Sequence, residues 1–324
     1  MTNLPQVPKK KARATLPSLV CSLLLLTLIL LLARSDLLNL WMQNGLALCA
    51  EVLIPSLFPF LILSDLILVS GAAHRLGKPL AKPISALLGI SPCSVSALLL
   101  GFLCGFPIGA KMTLSLYESG QISQREAERL LPLCSVPGPA FLIGTVGGSL
   151  LGSRAYGLLL YAVNLLSSLL IGMAGTRLTK PKETPFPSQT APAASSPLRV
   201  SRITRCVTDA AQGMLAICAF VLAFSCVIRL LELLLSYLPI SLPPLIRSLL
   251  YGTLELTGGI HAAVSLGGKP ALLACAIISG WSGLSVHAQT ISLSGAKPVS
   301  FRPYLAAKLA AAALNGLLIL PFLG

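Results

Sequence analysis

Between Leu16 and Ala33 the chain runs for eighteen residues without a charge, and comparable apolar stretches recur along its 324 residues. About 20 apolar residues wound as a helix cross the hydrocarbon core of a bilayer. Inside lipid every backbone donor and acceptor must be met within the protein, which restricts spanning segments to helices or closed barrels. Repeated runs of this length therefore predict an all-α polytopic membrane protein. Composition agrees: 55% of the residues are hydrophobic and 10% charged, against roughly 25% charged in a soluble domain. Mean hydropathy is +0.85.

The net charge of +14 would suggest nucleic acid in a soluble protein. Here the basic residues fall in short segments between apolar runs, as the positive-inside bias requires, and no nucleic-acid partner is expected. Lys9, Lys10, Lys11 and Arg13 precede the first run; Arg177, Lys180, Lys182, Arg199, Arg202 and Arg205 bracket a Pro-, Ser- and Ala-rich stretch. Both regions are expected on the cytoplasmic side. The nine cysteines form no CxxC pair and no cluster with histidine, so they read as small apolar residues rather than a disulfide or metal framework. The division expected is 1–39 as basic N-terminus and retained signal-anchor helix, 40–177 as a first repeat, 178–206 as a flexible linker, and 207–324 as a second repeat.

Spans are expected near 16–34, 46–71, 155–175, 207–236, 243–266 and 304–323, with Pro55 and Pro59 kinking the second. His74, Arg75, Lys78 and Lys82 mark a cytoplasmic loop. The segment 118–131 reads as a turn and a short surface helix, with Ser123 and Glu126 matching a capping box. Three regions are apolar but interrupted: 83–117, broken at Pro92, Gly101, Gly105, Pro107 and Gly109; 133–152; and 272–295, broken at Gly280 and Gly283.

Two of these interruptions belong to an internal correspondence. "LALCAEVL" (46–53) and "LAICAFVL" (215–222) agree at six of eight positions, and the intervals 105–120 and 280–295 each open on a Gly-aromatic pair. Charge bias has the first copy enter the membrane from outside and the second from inside. An inverted repeat with paired Gly/Pro-interrupted segments is characteristic of secondary transporters, with re-entrant hairpins and broken helices around a central site.

Candidate site residues follow from chemistry that is costly in lipid. Helix N-termini freed at a break present N–H groups and a positive dipole end, which suit anions. Gly105, Pro107 and Gly109 supply the break and Lys111 a nearby cation, whose plain alternative is snorkelling to the interface. Gly101, Gly105 and Gly109 also fit a close helix–helix face. Glu255, in "GTLELTGG", is an apolar-region carboxylate expected to bind or couple. Glu51 lies one turn before Pro55, and the two are candidates for coupling or gating. Ser285, His287 and Gln289 sit in the densest polar cluster of any apolar stretch. Asp65, Glu118 and Glu232 are expected at interfaces. There is no GxSxG, HExxH, phosphate loop or paired-acid protease motif, so an enzyme is not expected, nor a cofactor or metal.

The series "PSLFPFLILSDLI", "CGFPIGAKM", "GQISQREAERLL", "GPAFLIGTVG", "GTLELTGG" and "SGLSVHAQT" resembles the YlbJ-type sporulation integral membrane proteins. These carry a nucleoside-recognition or gate domain similar to parts of concentrative nucleoside transporters. The resemblance spans about 40–324. It implies a membrane protein of endospore formers, linked to moving dipicolinate towards the forespore across the outer forespore membrane. It implies an ordered site of Gly105, Pro107, Gly109, Lys111, Glu255, Ser285, His287 and Gln289. The chain departs from the family pattern at "CSVPGPAF", where Ser135 and Val136 replace Asn residues. The expected function is transport of a small anionic solute, with the bilayer as its other partner; a coupling ion and homo-oligomerisation stay open. A nucleoside-type transporter and a non-transporting scaffold for envelope assembly are the alternatives.

Overall fold

The computed structural model describes residues 25, 28–29, 32–70, 72–178, 200–237, 239, 241–294 and 298–323. Most of the expected signal-anchor span and most of the 178–206 linker lie outside them. The chain divides into Met1–Asn44 and Gly45–Gly324, the second a compact unit. All regular structure among the described residues is helical. Five helical stretches are long and apolar enough to cross a membrane, or six if a bent pair counts as one. The protein is an all-α polytopic membrane protein.

Helix α1 (Ser35–Leu48) leads through a π turn (Cys49–Leu53) into α2 (Ile54–Val69). The wide turn lies immediately before Pro55, whose ring cannot follow an ordinary α turn without clashing with the carbonyl four residues back. What the sequence suggests is a basic loop proves helical, as α3 (Ala72–Leu88), despite Pro79 and Pro83 inside it. It meets α4 (Pro92–Cys104) at 98°. Gly89 makes that corner with φ +56°. Leu88, at the end of α3, is held by Arg129 Nη2 at 3.0 Å and Thr176 Oγ1 at 2.8 Å, both donating to its carbonyl.

From α4 onward the chain breaks its helices four times. α4 and α5 (Ile108–Glu118) are separated by 105–107. α6 (Gln124–Cys134) is separated from a π-wound helix (Ala140–Leu150) by 135–139. After the long α7 (Arg154–Leu178) and α8 (Val200–Ser236), α9 (Pro244–Leu254) meets α10 (Leu256–Val264) at Glu255. Finally α11 (Gly268–Trp281) meets α12 (Leu284–Ser292) at 282–283, and α13 (Arg302–Ile319) closes the bundle. By order of elements, the break at 105–107 thus corresponds to the one at Glu255, and 135–139 to 282–283. This differs from the sequence correspondence of Gly105 with Gly280, because Glu255 interrupts the expected span 243–266 with no glycine or proline at the break itself.

α6 buries one face, with Glu126, Ala127, Leu130 and Leu131 inside and Gln124 and Arg125 exposed. Only half of the expected capping box forms. Ser123 Oγ accepts from Glu126 N at 3.1 Å, but the Glu126 carboxylate turns to α4, where its Oε1 accepts from Ser91 N and Ser94 Oγ, both at 2.6 Å. The donors at the start of one helix are thus met by a carboxylate from another. The apolar core follows the breaks: Phe141, Leu142 and Val146 of the π-wound helix pack with Leu256 and Ile260 of α10 and Leu272 and Ile278 of α11.

Candidate functional site

The four breaks pair off. Phe106 N donates to Val136 O at 3.0 Å, joining 105–107 to 135–139. Gly105 (φ +76°) lies directly on the Gly138 backbone, leaving no space for a Cβ. In the second half Gly283 (φ +86°) sits on the break at Glu255, where a Cβ would fall 2.9 Å from Leu256 N. Glycine is required at Gly105 and Gly283 by both the positive φ and the contact. The other glycines expected to break the helices pack instead. Gly101 and Gly109 lie inside α4 and α5 against the Cys134 backbone, and Gly280 lies inside α11 against Ala311 O and Ala312 Cα of α13. Breaking and close packing thus share the same sequence segment.

All four broken segments reach one small cavity of about 30 Å³, lined by Phe106, Phe141, Leu256, Thr257 and Gln289 with Leu53, Leu57, Ile217 and Val221 of the flanking helices. Its polar lining is Thr257 and Gln289. Small-molecule sites usually measure about 300 Å³ or more, so this conformation encloses room for water but not for an organic solute.

Glu255 is 1% exposed and is spent locally. Its Oε1 accepts from Thr257 N at 2.9 Å and its Oε2 from Gly258 N at 2.6 Å. The donors that the break frees at the start of α10 are therefore capped by the residue that makes the break. At the first break Gly105 N, Phe106 N, Ile108 N and Lys111 N also have backbone partners. The free N–H groups that the sequence suggests do not occur at these positions.

The remaining candidate residues spread out. Pro107 precedes α5 after a cis peptide. Lys111 points to Asp65 of α2, with Nζ 2.9 and 3.0 Å from the two carboxylate oxygens; Asp65 is buried. Ser285 Oγ is buried without a partner. His287 Nδ1 lies 3.0 Å from the Tyr304 hydroxyl, and its ring packs edge-on to Trp281 with centroids 4.4 Å apart. Glu51 and Pro55 are exposed, Glu51 on the π turn. Of the residues singled out from sequence, Gln289 lines the cavity, and Glu255, Gly105 and Pro107 are chain neighbours of the lining residues Leu256 and Phe106. Phe106 and Thr257 were missed, although each sits beside a recognised position.

Lys308 was also missed. It is 2% exposed in the middle of α13, with Nζ donating to Ser135 O at 2.8 Å. A signal exists for it: Tyr304, Lys308, Ala311, Asn315 and Ile319 are the buried residues of α13, a helical stripe that puts one tyrosine, one lysine and one asparagine on the inward face.

No family model and no solved structure matches the chain. Among curated proteins, it is 30% identical over 307 residues to the sporulation integral membrane protein YlbJ of Bacillus subtilis (strain 168), covering 82% of this chain and 73% of that protein. The chain belongs to the YlbJ family of sporulation integral membrane proteins.

Proposed function

We propose that the protein is a secondary transporter or facilitator that moves a small organic anion, dipicolinate first among the candidates, across the outer forespore membrane during sporulation. The observation that carries this reading is the convergence of segments from all four broken helix pairs on one cavity. Interrupted helices at membrane depth persist where protein covers them or where they line a cavity, and in transporters such segments surround the substrate. A scaffold needs neither the breaks nor the cavity. The enclosed volume fits an occluded conformation, and solute entry requires α2, α8 or a break pair to move. In this reading Gln289 and Thr257 give the cavity its hydrogen-bonding groups, and the N-terminal basic segment and the 178–206 stretch face the cytoplasm. Dipicolinate is favoured by the resemblance to the family; the distant likeness to nucleoside transporters supplies the second candidate.

The test is uptake by purified full-length protein in liposomes, with dipicolinate and uridine compared. Dipicolinate uptake above empty liposomes, reduced at least about tenfold by Gln289→Leu, is the expected result. Uptake of uridine alone would reassign the substrate. Uptake of neither, by protein that remains helical and monodisperse, would overturn transport and leave the scaffold.

A further inference from the structure

Behind α12, on the side away from Gln289, lies a second buried polar group that the cavity does not use. Lys308 Nζ has a single hydrogen-bond acceptor among the described residues, the Ser135 carbonyl at 2.8 Å. Ser135 opens the second break. Lys308 and the His287 ring interact electrostatically, as do the Tyr304 hydroxyl and the Ser135 side chain. Tyr304 is 3.0 Å from His287 Nδ1 and 3.5 Å from Thr290 Oγ1. Two side-chain atoms of this group, Ser135 Oγ and His287 Nε2, are buried with no hydrogen-bond partner within 3.5 Å among the described residues.

The charge balance of this group is one-sided. Among the described residues the ion pairs are Lys111–Asp65, Arg205–Asp209 and Arg229–Glu232; no carboxylate lies within 4 Å of Lys308. An unpaired ammonium in a low-dielectric interior is costly, and a half-satisfied buried polar network is destabilising. The unmet groups are mostly able to donate. An ammonium has three donors, of which one is used. The Ser135 hydroxyl is a further donor. Thr290 Oγ1 gives its own proton to Val286 O, so the Tyr304 O–H donates to Thr290 and accepts from His287 Nδ1–H, which leaves His287 Nε2 as an acceptor. A cationic group with spare donors is complementary to an oxyanion, and a carboxylate fits it through charge-assisted hydrogen bonds.

We infer that Lys308, with Ser135, forms the site that recognises a carboxylate group of the solute, and that Lys111 does not. Lys111 is already neutralised by Asp65 and its side chain is 44% exposed. The inference rests on the anionic-solute reading above and adds the residues that select the charge. Because Ser135 lies in the break bonded to Phe106, a carboxylate held there pulls on the same pair of breaks that walls the cavity. Binding is thereby linked to the segment that must move.

The test measures binding without transport: equilibrium binding of radiolabelled dipicolinate to the full-length protein in nanodiscs, with uridine and chloride as competitors. Wild-type protein should bind dipicolinate, uridine and chloride competing weakly. Lys308→Met should weaken binding at least about tenfold, as loss of a buried charged partner does, with Lys308→Arg retaining part of it. Lys111→Met should bind as wild type. If Lys308→Met does not fold, Ser135→Ala decides, expected to weaken binding severalfold. Wild-type affinity in Lys308→Met, or in the substitute variant, would overturn the inference, as would loss of binding in Lys111→Met. Failure of wild type to bind dipicolinate would also overturn it, while uridine uptake in the liposome assay would still uphold transport.

Discussion

Gly105 and Gly138 meet backbone against backbone, so that a methyl group on Gly105 would land on Gly138 N and Cα. Gly105 also holds φ at +76°. Alanine there carries a left-handed penalty of roughly 1–2 kcal/mol and an overpacking cost of about 1–3 kcal/mol. Gly105→Ala should therefore lower the unfolding free energy by about 2–5 kcal/mol, read from thermal unfolding in detergent. Gly120 is the control: φ is +73° with open space around it, so Gly120→Ala should show the backbone penalty alone. Equal losses in the two variants would refute the close contact between the breaks.

The Glu255 carboxylate is a cap before it is anything else, since each oxygen takes one backbone N–H of α10. Its removal should behave as cap loss, at about 0.5–2 kcal/mol, with a buried unmet donor adding about 1–3 kcal/mol. Glu255→Ala should be the most destabilised, Glu255→Gln intermediate because its amide offers one acceptor, and Glu255→Asp the least because aspartate is itself a good cap. Circular-dichroism melting of the three variants gives the order. Glu255→Gln as stable as wild type would show that the second hydrogen bond contributes nothing.

How far sequence reaches differs between these sites for a physical reason. The breaks at 105–107, 135–139 and 282–283 contain glycine or proline, and those residues leave a compositional mark wherever a helix stops. The break at Glu255 stands between two leucines and is made by a side chain that caps the next helix, so 243–266 reads as one span. Which glycine turns and which packs is also hidden. Gly105 and Gly109 look alike in sequence and differ only in what Cys134 and Gly138 bring against them. Asp65 and Lys111 are 46 residues apart, and no local pattern pairs them. Lys308, by contrast, was legible from its spacing to Tyr304 and Asn315, and an Ala-rich span masked it. Glu126 shows the reverse error: its spacing to Ser123 fits a capping box, yet a donor on another helix claims the carboxylate.

That tertiary claim on Glu126 is measurable. Its Oε1 is the shared acceptor for Ser91 N and Ser94 Oγ at the corner between α3 and α4. Glu126→Gln keeps a carbonyl oxygen at that place and should cost about 1 kcal/mol, the difference between a charged and a neutral acceptor. Glu126→Ala strands both donors and should cost about 2–5 kcal/mol. A chemical-denaturation series in mixed micelles gives the comparison, and equal stability of the alanine and glutamine variants would sink it.

The Lys111–Asp65 pair predicts a small energy and no effect on anion selectivity. The 2.9 Å contact is close, but at 44% exposure of the lysine side chain screening and side-chain entropy take back most of the attraction, leaving a coupling of about 0.2–1 kcal/mol. A double-mutant cycle of Asp65→Asn and Lys111→Met should return a coupling in that range, and 1 M salt should shrink it. In liposomes, Lys111→Met should keep the wild-type preference for dipicolinate over uridine, because the aspartate already offsets its charge. A switch of preference to uridine in Lys111→Met, with Lys308→Met unaffected, would transfer the anion-selecting role to α5.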